Sequence, residues 1–473
     1  MIKQRTTIFN PNESNDDVVS SIERNQVVFK TGSADNSTTP FIVENKITVP
    51  LDQTLISQYN LIKQVRIQTS DESVTDDVVF TYKFNHGTNI YILPKNVHNQ
   101  EQQAQFYEQV NDLLQHLLNI DVKSENWIRI TNSLYYHDES PRTLSLDWFS
   151  QVDDLVDSHT YDIFFNNDDS EGNASIVLKQ LAHLPYSTDY TIKLKDNIRK
   201  EIGLFIIDKV ISSPDDIVLS GIRAILNKEE AESDEEYIFK TLFHIKPRHR
   251  IVDGLSDSRI VENGLHPIIK STFNSFEEKQ DSDVIECKLY YYINLNKSLI
   301  FDKYQSIPVG ANLIVNNGVS NLELPEYKIS EWGNEILFEF DNITTNNIEF
   351  TVHSRYQLPS NITNSTVIHN SLPQLFYACN VRDDYLLDKS PFDTKLSIGG
   401  NYETYFTGDT VFYHIDHTSN SSIVVNIPNA NDSIDRISTI SILTVLFGVG
   451  IILFQLFRVI FRAPKVTATR KNE

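Results

Sequence analysis

The chain has 473 residues, enough for two or three domains that each bury a hydrophobic core of their own. Hydrophobic residues make up 40% of it and aromatic residues 11%, a composition that excludes a disordered chain and favours β structure. The net charge of -23 excludes binding to nucleic acid or to an anionic membrane face through bulk electrostatics.

Short apolar stretches separated by polar connections rich in Asn and Asp fill the first 200 residues. Stretches such as 41–49 and 78–84 predict strands, because they alternate with such connections. One minor helix is predicted near residues 99–119, where apolar residues recur at spacings of three and four. We therefore expect an N-terminal β-rich lumenal domain over residues 1–200, in which this helix packs on a sheet.

A second lumenal domain is predicted over residues 201–436. After an acidic run at 228–237, which we interpret as a solvated loop, apolar stretches follow one another at close intervals from about 284 to 428. This spacing predicts an antiparallel β-sandwich-like arrangement. The predicted fold class is therefore mainly β.

Period-two alternation distinguishes two faces within residues 348–356. The apolar face is formed by Ile348, Phe350, Val352 and Tyr356, and the polar face by Glu349, Thr351, His353 and Arg355. We interpret the polar face as a potential interaction surface.

A run of 21 uncharged residues, 437–457, predicts a transmembrane helix. At about 1.5 Å per residue it spans the roughly 30 Å hydrocarbon core of a bilayer. The segment 458–473 carries a net charge of +4, so by the positive-inside rule this basic tail is cytosolic and the preceding region is lumenal. A cytosolic tail-anchored protein is the alternative, because the N-terminus lacks the apolar segment of a signal peptide.

Small residues lie along one face of this helix. Ser441, Thr444 and Gly448 follow one another at spacings of three and four, so that another helix could approach closely along them. They are candidate residues for binding a membrane partner. The alternative is a chance arrangement, since small residues are common in membrane helices.

Nine N-x-S/T triplets are candidate N-glycosylation sites and favour a lumenal region before the helix, although a chain so rich in Asn, Ser and Thr gives several by chance. They begin at Asn12, Asn36, Asn173, Asn296, Asn342, Asn361, Asn364, Asn420 and Asn431.

Two cysteines, Cys287 and Cys379, are too few for a disulfide framework and lack the spacing of a zinc or redox motif. A lumenal location permits one disulfide between them. The sequence alone leaves open whether they pair.

The sequence contains no persuasive constellation of residues for catalysis, such as a carboxylate base or a metal-binding site. The triplet D-x-D at 281–283 is of a kind that chance supplies among 64 acidic residues. No P-loop, G-x-G-x-x-G, G-x-S-x-G or H-E-x-x-H motif occurs. We therefore predict no catalytic residue, no metal and no cofactor.

Short motifs follow one another in a fixed order between residues 200 and about 460. They are 221–223 (GIR), 264–267 (GLHP), 301–308 (FDKYQSIP), 322–327 (LELPEY), 331–333 (EWG), 353–356 (HSRY), 358–360 (LPS), 373–379 (PQLFYAC) and 402–415 (YETYFTGDTVFYHI). In this order, followed by one apolar helix and a short basic tail, they resemble the PIG-X family and within it the fungal protease B non-derepressible form branch. Residues 1–200 match the family only loosely.

The resemblance implies a single-pass glycoprotein of the endoplasmic reticulum membrane that is not an enzyme. Such a protein binds and stabilises a PIG-M-type mannosyltransferase, the catalytic subunit of GPI mannosyltransferase I, which adds the first mannose to glucosaminyl phosphatidylinositol. The fungal members are also linked to processing of vacuolar protease B. The alternatives are a general lumenal chaperone for secreted or vacuolar hydrolases, and an enzyme acting on lumenal glycans.

Four residues of the HSRY and LPS motifs are the candidates for contact with the partner or for a structural role. His353 and Arg355 are expected on the partner-facing or structurally critical face. They could equally satisfy carboxylates and carbonyls inside the fold. Tyr356 and Pro359 are expected to shape the end of the strand and the turn after it.

Overall fold

The computed structural model describes the larger part of the chain. The described residues are 1–10, 19–29, 41–71, 86–97, 99–130, 133–145, 147–152, 155, 158, 160–168, 174–184, 190–208, 212, 216–226, 237–274, 283–319, 321–341, 346–382, 387, 390–392, 401–418 and 422–461. The predicted strand 78–84, the acidic run at 228–236 and the tail from 462 onward lie outside them.

Fourteen strands and two helices make up the first part of the described chain. The strands are β1 (Ile2–Phe9), β2 (Val19–Glu23), β3 (Gln26–Phe29), β4 (Phe41–Pro50), β5 (Ile62–Ser70), β6 (Gly87–Pro94), β7 (Ile128–Arg129), β8 (Leu134–Asp138), β9 (Thr160–Asn166), β10 (Ser175–Leu184), β11 (Tyr190–Lys193), β12 (Ile198–Ile207), β13 (Ile217–Leu226) and β14 (Ile238–Ile245). The helices are α1 (Gln53–Gln58) and α2 (Gln100–Leu118).

Twelve strands and one helix follow in the second part. The strands are β15 (His249–Val261), β16 (Ile268–Phe273), β17 (Val284–Asn296), β18 (Leu299–Ile300), β19 (Ala311–Gly318), β20 (Gly333–Phe340), β21 (Asn347–Thr351), β22 (His353–Ser354), β23 (Ser365–Ser371), β24 (Gln374–Val381), β25 (Thr410–His417) and β26 (Ser422–Pro428). The helix is α3 (Ile434–Phe461). The prediction of a mainly β fold with one C-terminal apolar helix is confirmed.

Two large sheets organise these strands. The first has eleven strands in the order β14-β13-β12-β1-β4-β10-β9-β5-β6-β8-β7, and the second has eight in the order β19-β20-β17-β24-β25-β15-β16-β21. Most neighbours are antiparallel, as predicted, but β1 pairs with β12 and β15 with β25 in parallel. Strands from residues 198 to 245 complete the first sheet. The predicted division of the chain into two domains near residue 200 stays a prediction.

Helix α2 covers the first sheet, as its apolar spacing predicts. The side chain of Asn99 accepts a hydrogen bond from the amide of Gln102 at 2.8 Å and so begins the helix, while Asn119 ends it in a left-handed conformation. Its inward face is buried against β4, β5, β6 and β9. The buried side chains are Phe106, Val110, Leu113, Leu114, Leu117 and Leu118.

A buried ion pair joins two neighbouring strands of the first sheet. The guanidinium of Arg66 on β5 donates two hydrogen bonds to the carboxylate of Asp162 on β9, at 3.0 and 2.8 Å. Burial by itself lowers the pKa of Arg66, but the adjacent Asp162 carboxylate more than offsets this and holds that pKa above its usual range. Arg66 is therefore charged inside the fold.

A disulfide joins two neighbouring inner strands of the second sheet. Cys287 on β17 and Cys379 on β24 lie opposite each other in the strand register, with their Cα atoms 4.1 Å apart. Cys379 is fully buried. The bridge therefore adds a covalent link to the hydrogen bonds between β17 and β24.

Candidate functional site

Motifs that are far apart in the sequence meet around β22. We call this region the motif junction; it comprises residues 264–267, 298–308, 322–333 and 353–360. Strand β22 pairs with β18, the amide of Ser354 donates to the carbonyl of Leu265 at 2.8 Å, and the amide of Arg355 donates to the carbonyl of Ser298 at 2.8 Å. The backbone of the HSRY motif thus connects the GLHP motif to residues 298–300, directly before the FDKYQSIP motif.

The LELPEY motif joins the same region from another side. The amide of Glu326 donates to the carbonyl of Tyr356 at 3.0 Å, and the Glu326 carboxylate forms an ion pair with Lys297 at 2.6 Å. The amide of Lys297 in turn donates to the carbonyl of Trp332 in the EWG motif at 3.0 Å. The HSRY, GLHP, LELPEY and EWG motifs are therefore held together through two short segments, 297–300 and 353–356.

His353 is half-buried and lies against a second histidine. Its ring meets the ring of His266 edge to face, with the ring centres 4.6 Å apart. Burial lowers the pKa of His353 below its usual value, and the neighbouring His266 lowers it further, while Asp302 opposes the shift. His353 therefore favours the neutral form inside the motif junction.

The prediction that Arg355 lies on the outward polar face is wrong. Arg355 is 2% exposed and points inward. Strand pairing is interrupted at Val352, and Ser354 and Arg355 are both buried, so the inward and outward positions exchange after residue 354. One terminal nitrogen of Arg355 donates to the carbonyl of Leu324 at 2.7 Å. Its other two nitrogens have no hydrogen-bond partner among the described residues.

The predicted position of Tyr356 is also wrong, because Tyr356 does not lie on the buried apolar face with the other three residues. Ile348, Phe350 and Val352 are buried as that face requires, whereas Tyr356 is 66% exposed. Pro359 is exposed in the turn that follows. Of the four candidate residues, the structure brings His353 and Arg355 into the motif junction and places Tyr356 and Pro359 at its surface.

Trp332 of the EWG motif joins the two large sheets. Its indole N–H donates to the carbonyl of Tyr135 on β8 at 3.2 Å, and its ring packs against the rings of Tyr135 and His137. The amide nitrogen of Asn294 on β17 donates to the Tyr135 hydroxyl at 2.7 Å. The two sheets are thus connected by buried aromatic and polar contacts.

A cleft of about 320 Å³ lies beside this joint. Its lining comes from both parts of the chain: Asn126, Tyr136, His137, Asp138, Glu139, Asn296, Lys297, Ser330, Glu331 and Trp332. Burial by itself raises the pKa of Glu139, but the nearby imidazole of His137, at 3.8 Å, and hydrogen bonds from Ser371 hold that pKa below its usual value. The sequence offered no signal for His137 or Glu139, because both lie in the region without recognisable motifs.

The last two motifs build the inner part of the second sheet. Phe376 of the PQLFYAC motif stacks on Tyr402 of the YETYF motif, with ring centres 4.0 Å apart. The buried carboxylate of Glu335 accepts hydrogen bonds from the hydroxyls of Tyr292 at 2.9 Å and Tyr405 at 2.7 Å. These residues are packed inside the fold and stabilise it rather than forming an accessible site.

Gly333 of the EWG motif allows a close approach between strands. Its φ is +156°, and a Cβ built on it would collide with the carbonyl oxygen of Leu295 on the neighbouring strand. We expect Gly333→Ala to lower the free energy of unfolding by about 2 kcal/mol through this overpacking. Urea denaturation of the full-length protein in detergent, followed by tryptophan fluorescence, measures the change.

Gly264 supplies the matched control for this prediction. It also has a positive φ, +60°, but nothing lies within 4 Å of a Cβ built on it. Gly264→Ala should therefore lose only about 1 kcal/mol, from the left-handed backbone alone. Equal losses in the two variants would contradict the steric role assigned to Gly333.

Helix α3 presents its small residues on an open surface. Ser441 and Thr444 are exposed and Gly448 is half-buried, and no other described part of the chain lies within 4 Å of a Cβ built on Gly448. The hydroxyl of Thr444 donates to the carbonyl of Ile440 at 2.9 Å, so it is satisfied within the helix. The residues from Asp435 to Phe461 are apolar and long enough to cross a membrane.

Four of the nine candidate glycosylation sites are described. Asn361, Asn364 and Asn431 are exposed, and Asn296 is half-buried in the cleft. Asn12, Asn36, Asn173, Asn342 and Asn420 lie outside the described residues. Within the described ranges, no group of three His, Cys, Asp or Glu side chains is placed to hold a metal ion.

Comparison with known proteins gives consistent matches. The family model described as PIG-X / PBN1 matches residues 262–457. Protein PBN1 of Candida albicans is 43% identical over 96% of this chain and 97% of its own length, and Protein PBN1 of Debaryomyces hansenii is 40% identical over 100% of both chains. Protein PBN1 of Saccharomyces cerevisiae is 29% identical over 56% of this chain and 59% of its own. The similarity to the first two relatives thus extends through both large sheets.

Proposed function

Because the chain belongs to the PIG-X / PBN1 family, we propose that it is the essential non-catalytic subunit of the GPI mannosyltransferase I complex of the endoplasmic reticulum. It stabilises the PIG-M-type catalytic subunit, which transfers the first, α-1,4-linked mannose from dolichol phosphate mannose to glucosaminyl phosphatidylinositol. Family membership supports a role in GPI-anchor biosynthesis, and the single apolar helix fits a single-pass membrane protein.

One observation carries the assignment of a helper role. The family match spans the motif junction and the single helix α3, and the motifs within it meet to build a structure rather than an open catalytic site. Both substrates of the transfer are lipids, and a transferase for them needs a membrane site built from several helices. The catalytic residues therefore belong to the partner.

In this proposal the two large sheets lie in the lumen and the basic tail in the cytosol. The tail's net charge of +4 supports this orientation through the positive-inside rule. A lumenal location is also what N-glycosylation at any of the candidate sites requires.

Ser441, Thr444 and Gly448 form the face of α3 that packs against a helix of the catalytic subunit. We expect Gly448→Leu to weaken this association roughly tenfold, because added bulk keeps the two backbones apart. Co-purification of the catalytic subunit with the variant measures the effect. Gly450→Leu is the matched control, since Gly450 lies on another side of the helix and its surroundings are equally open; equal loss in both variants would contradict the assigned face.

The decisive experiment measures mannose transfer in microsomes depleted of this protein. Transfer from dolichol phosphate mannose to glucosaminyl phosphatidylinositol should fall together with the abundance of the catalytic subunit. Intact transfer would overturn the proposal. The general lumenal chaperone, which also accounts for the link to vacuolar protease B, would then be the better explanation.

A further inference from the structure

Residues 356–364 form an uncharged surface turn that begins within the motif junction and extends beyond it. We call it the apolar turn. Three of its side chains are largely exposed: Tyr356 at 66%, Leu358 at 65% and Ile362 at 95%. No Asp, Glu, Lys or Arg occurs from 356 to 366, although the whole chain has a net charge of -23. Exposed apolar side chains grouped on one short segment mark an interaction surface.

The apolar turn is held in a fixed conformation. Gln357 is buried beside Tyr356 and its amide nitrogen donates to the carbonyl of Arg355 at 3.0 Å. Farther along, the hydroxyl oxygen of Ser360 accepts hydrogen bonds from the amides of Ile362 and Thr363, at 3.1 and 3.2 Å. The apolar side chains are thus directed outward by a turn whose backbone is pinned to the fold.

Hydrogen bonds attach the apolar turn to the chain just before the membrane helix. The amide of Ser360 donates to the carbonyl of Ala430 at 2.9 Å, and the amide of Asp432 donates to the side-chain oxygen of Asn361 at 3.2 Å. The amide of Asn429 donates to the carbonyl of Asn364 at 2.9 Å. The second half of the turn, residues 360–364, is therefore fixed to residues 429–432, immediately before α3.

This attachment sets the distance of the turn from the bilayer. The 21 uncharged residues 437–457 fill the hydrocarbon core with no surplus length, so residue 437 lies at its edge. From Asp432 to Ile437 the chain advances by at most about 12 Å, since α3 begins at Ile434. The headgroup layer on one side of a bilayer is roughly 5–8 Å thick, so residue 432 lies within this layer or a few ångströms outside it.

We infer that the apolar turn lies in the interfacial layer of the bilayer, with Leu358 and Ile362 inserted among the lipids and Tyr356 at headgroup level. Tyrosine is favoured at this depth, and aliphatic side chains gain from leaving water there. Because the turn is uncharged and the chain is acidic, it suits zwitterionic headgroups. The contact orients the whole folded region on the membrane, whichever subunit the helix binds.

Depth-dependent quenching tests this inference. Full-length protein carrying Ile362→Trp is reconstituted in phosphatidylcholine vesicles, with or without lipids spin-labelled near the headgroup end of the acyl chain. Wild-type emission from the three native tryptophans is subtracted. The added indole should lose about half of its emission, as expected for a side chain at the boundary between headgroups and acyl chains. Leu358→Trp is measured in parallel, so that a single misfolded variant does not decide the result.

Leu242→Trp is the matched control, because Leu242 is 67% exposed on β14, an edge strand of the first sheet, and belongs to no segment bonded to residues 429–432 in the described chain. It should show no quenching by the labelled lipids. Equal emission loss at positions 362 and 242 would overturn the inference. A second result would also overturn the inference: the indole at position 362 is not quenched by labelled lipids in vesicles, but is shielded from acrylamide in native microsomes. In that case a protein, and not lipid, covers the apolar turn.

Discussion

Replacing Cys287 and Cys379 together by Ala is expected to lower the free energy of unfolding by about 4 kcal/mol, since the bridge closes a loop of 92 residues. The bond restricts the unfolded chain most strongly when the loop is long. It also links β17 to β24 inside the second sheet. The urea midpoint of the full-length protein in detergent, followed by tryptophan fluorescence, should fall accordingly.

Reduction supplies the control for the disulfide. Dithiothreitol should lower the midpoint of the wild-type protein to about that of the double variant, and it should leave the variant unchanged. A wild-type protein that is insensitive to reductant under denaturing conditions, with a variant of equal stability, would show that the bridge does not stabilise the fold.

Asp162→Ala is expected to lower the free energy of unfolding by about 3 to 5 kcal/mol, because it leaves the buried guanidinium of Arg66 without its carboxylate. Arg66 and Asp162 are 2% and 5% exposed, so water cannot replace the lost partner without opening the sheet. The same urea denaturation measures the loss.

A double variant separates the cost of an unpaired charge from the value of the pair. Arg66→Met combined with Asp162→Leu fills the same space with apolar side chains and should restore stability to within about 1 kcal/mol of the wild type. If Asp162→Ala unfolded at the wild-type urea concentration, the ion pair would have no structural importance.

Local patterns predicted the individual elements well, because they depend on residues close together in the sequence. Helix α2 is recognisable from the three-and-four spacing of Phe106, Val110 and Leu113, and the structure buries those side chains. The run 437–457 likewise predicts α3, which extends a few residues beyond it at each end. In both cases neighbouring residues alone determine the pattern.

Contacts between distant segments could not be predicted in the same way. Alternation predicts an outward Arg355 and an inward Tyr356, yet the chain exchanges its faces after Ser354 because its backbone also bonds to Leu265 and Ser298. The joint between Trp332 and Tyr135 spans 197 residues of sequence, so no local signal marks it. The family motifs identified the participating segments without indicating how they meet.

The parallel pairing of β1 with β12 has a consequence for synthesis on the ribosome. Strand β1 pairs with β4 soon after both emerge, but its other edge pairs with Ile198–Ile207. At roughly 5–20 residues per second, β12 is translated about 10 to 40 s after β1. During that interval β1 exposes an unpaired edge that other strands could occupy. The nascent chain therefore needs protection at this edge until more than 200 residues have been made.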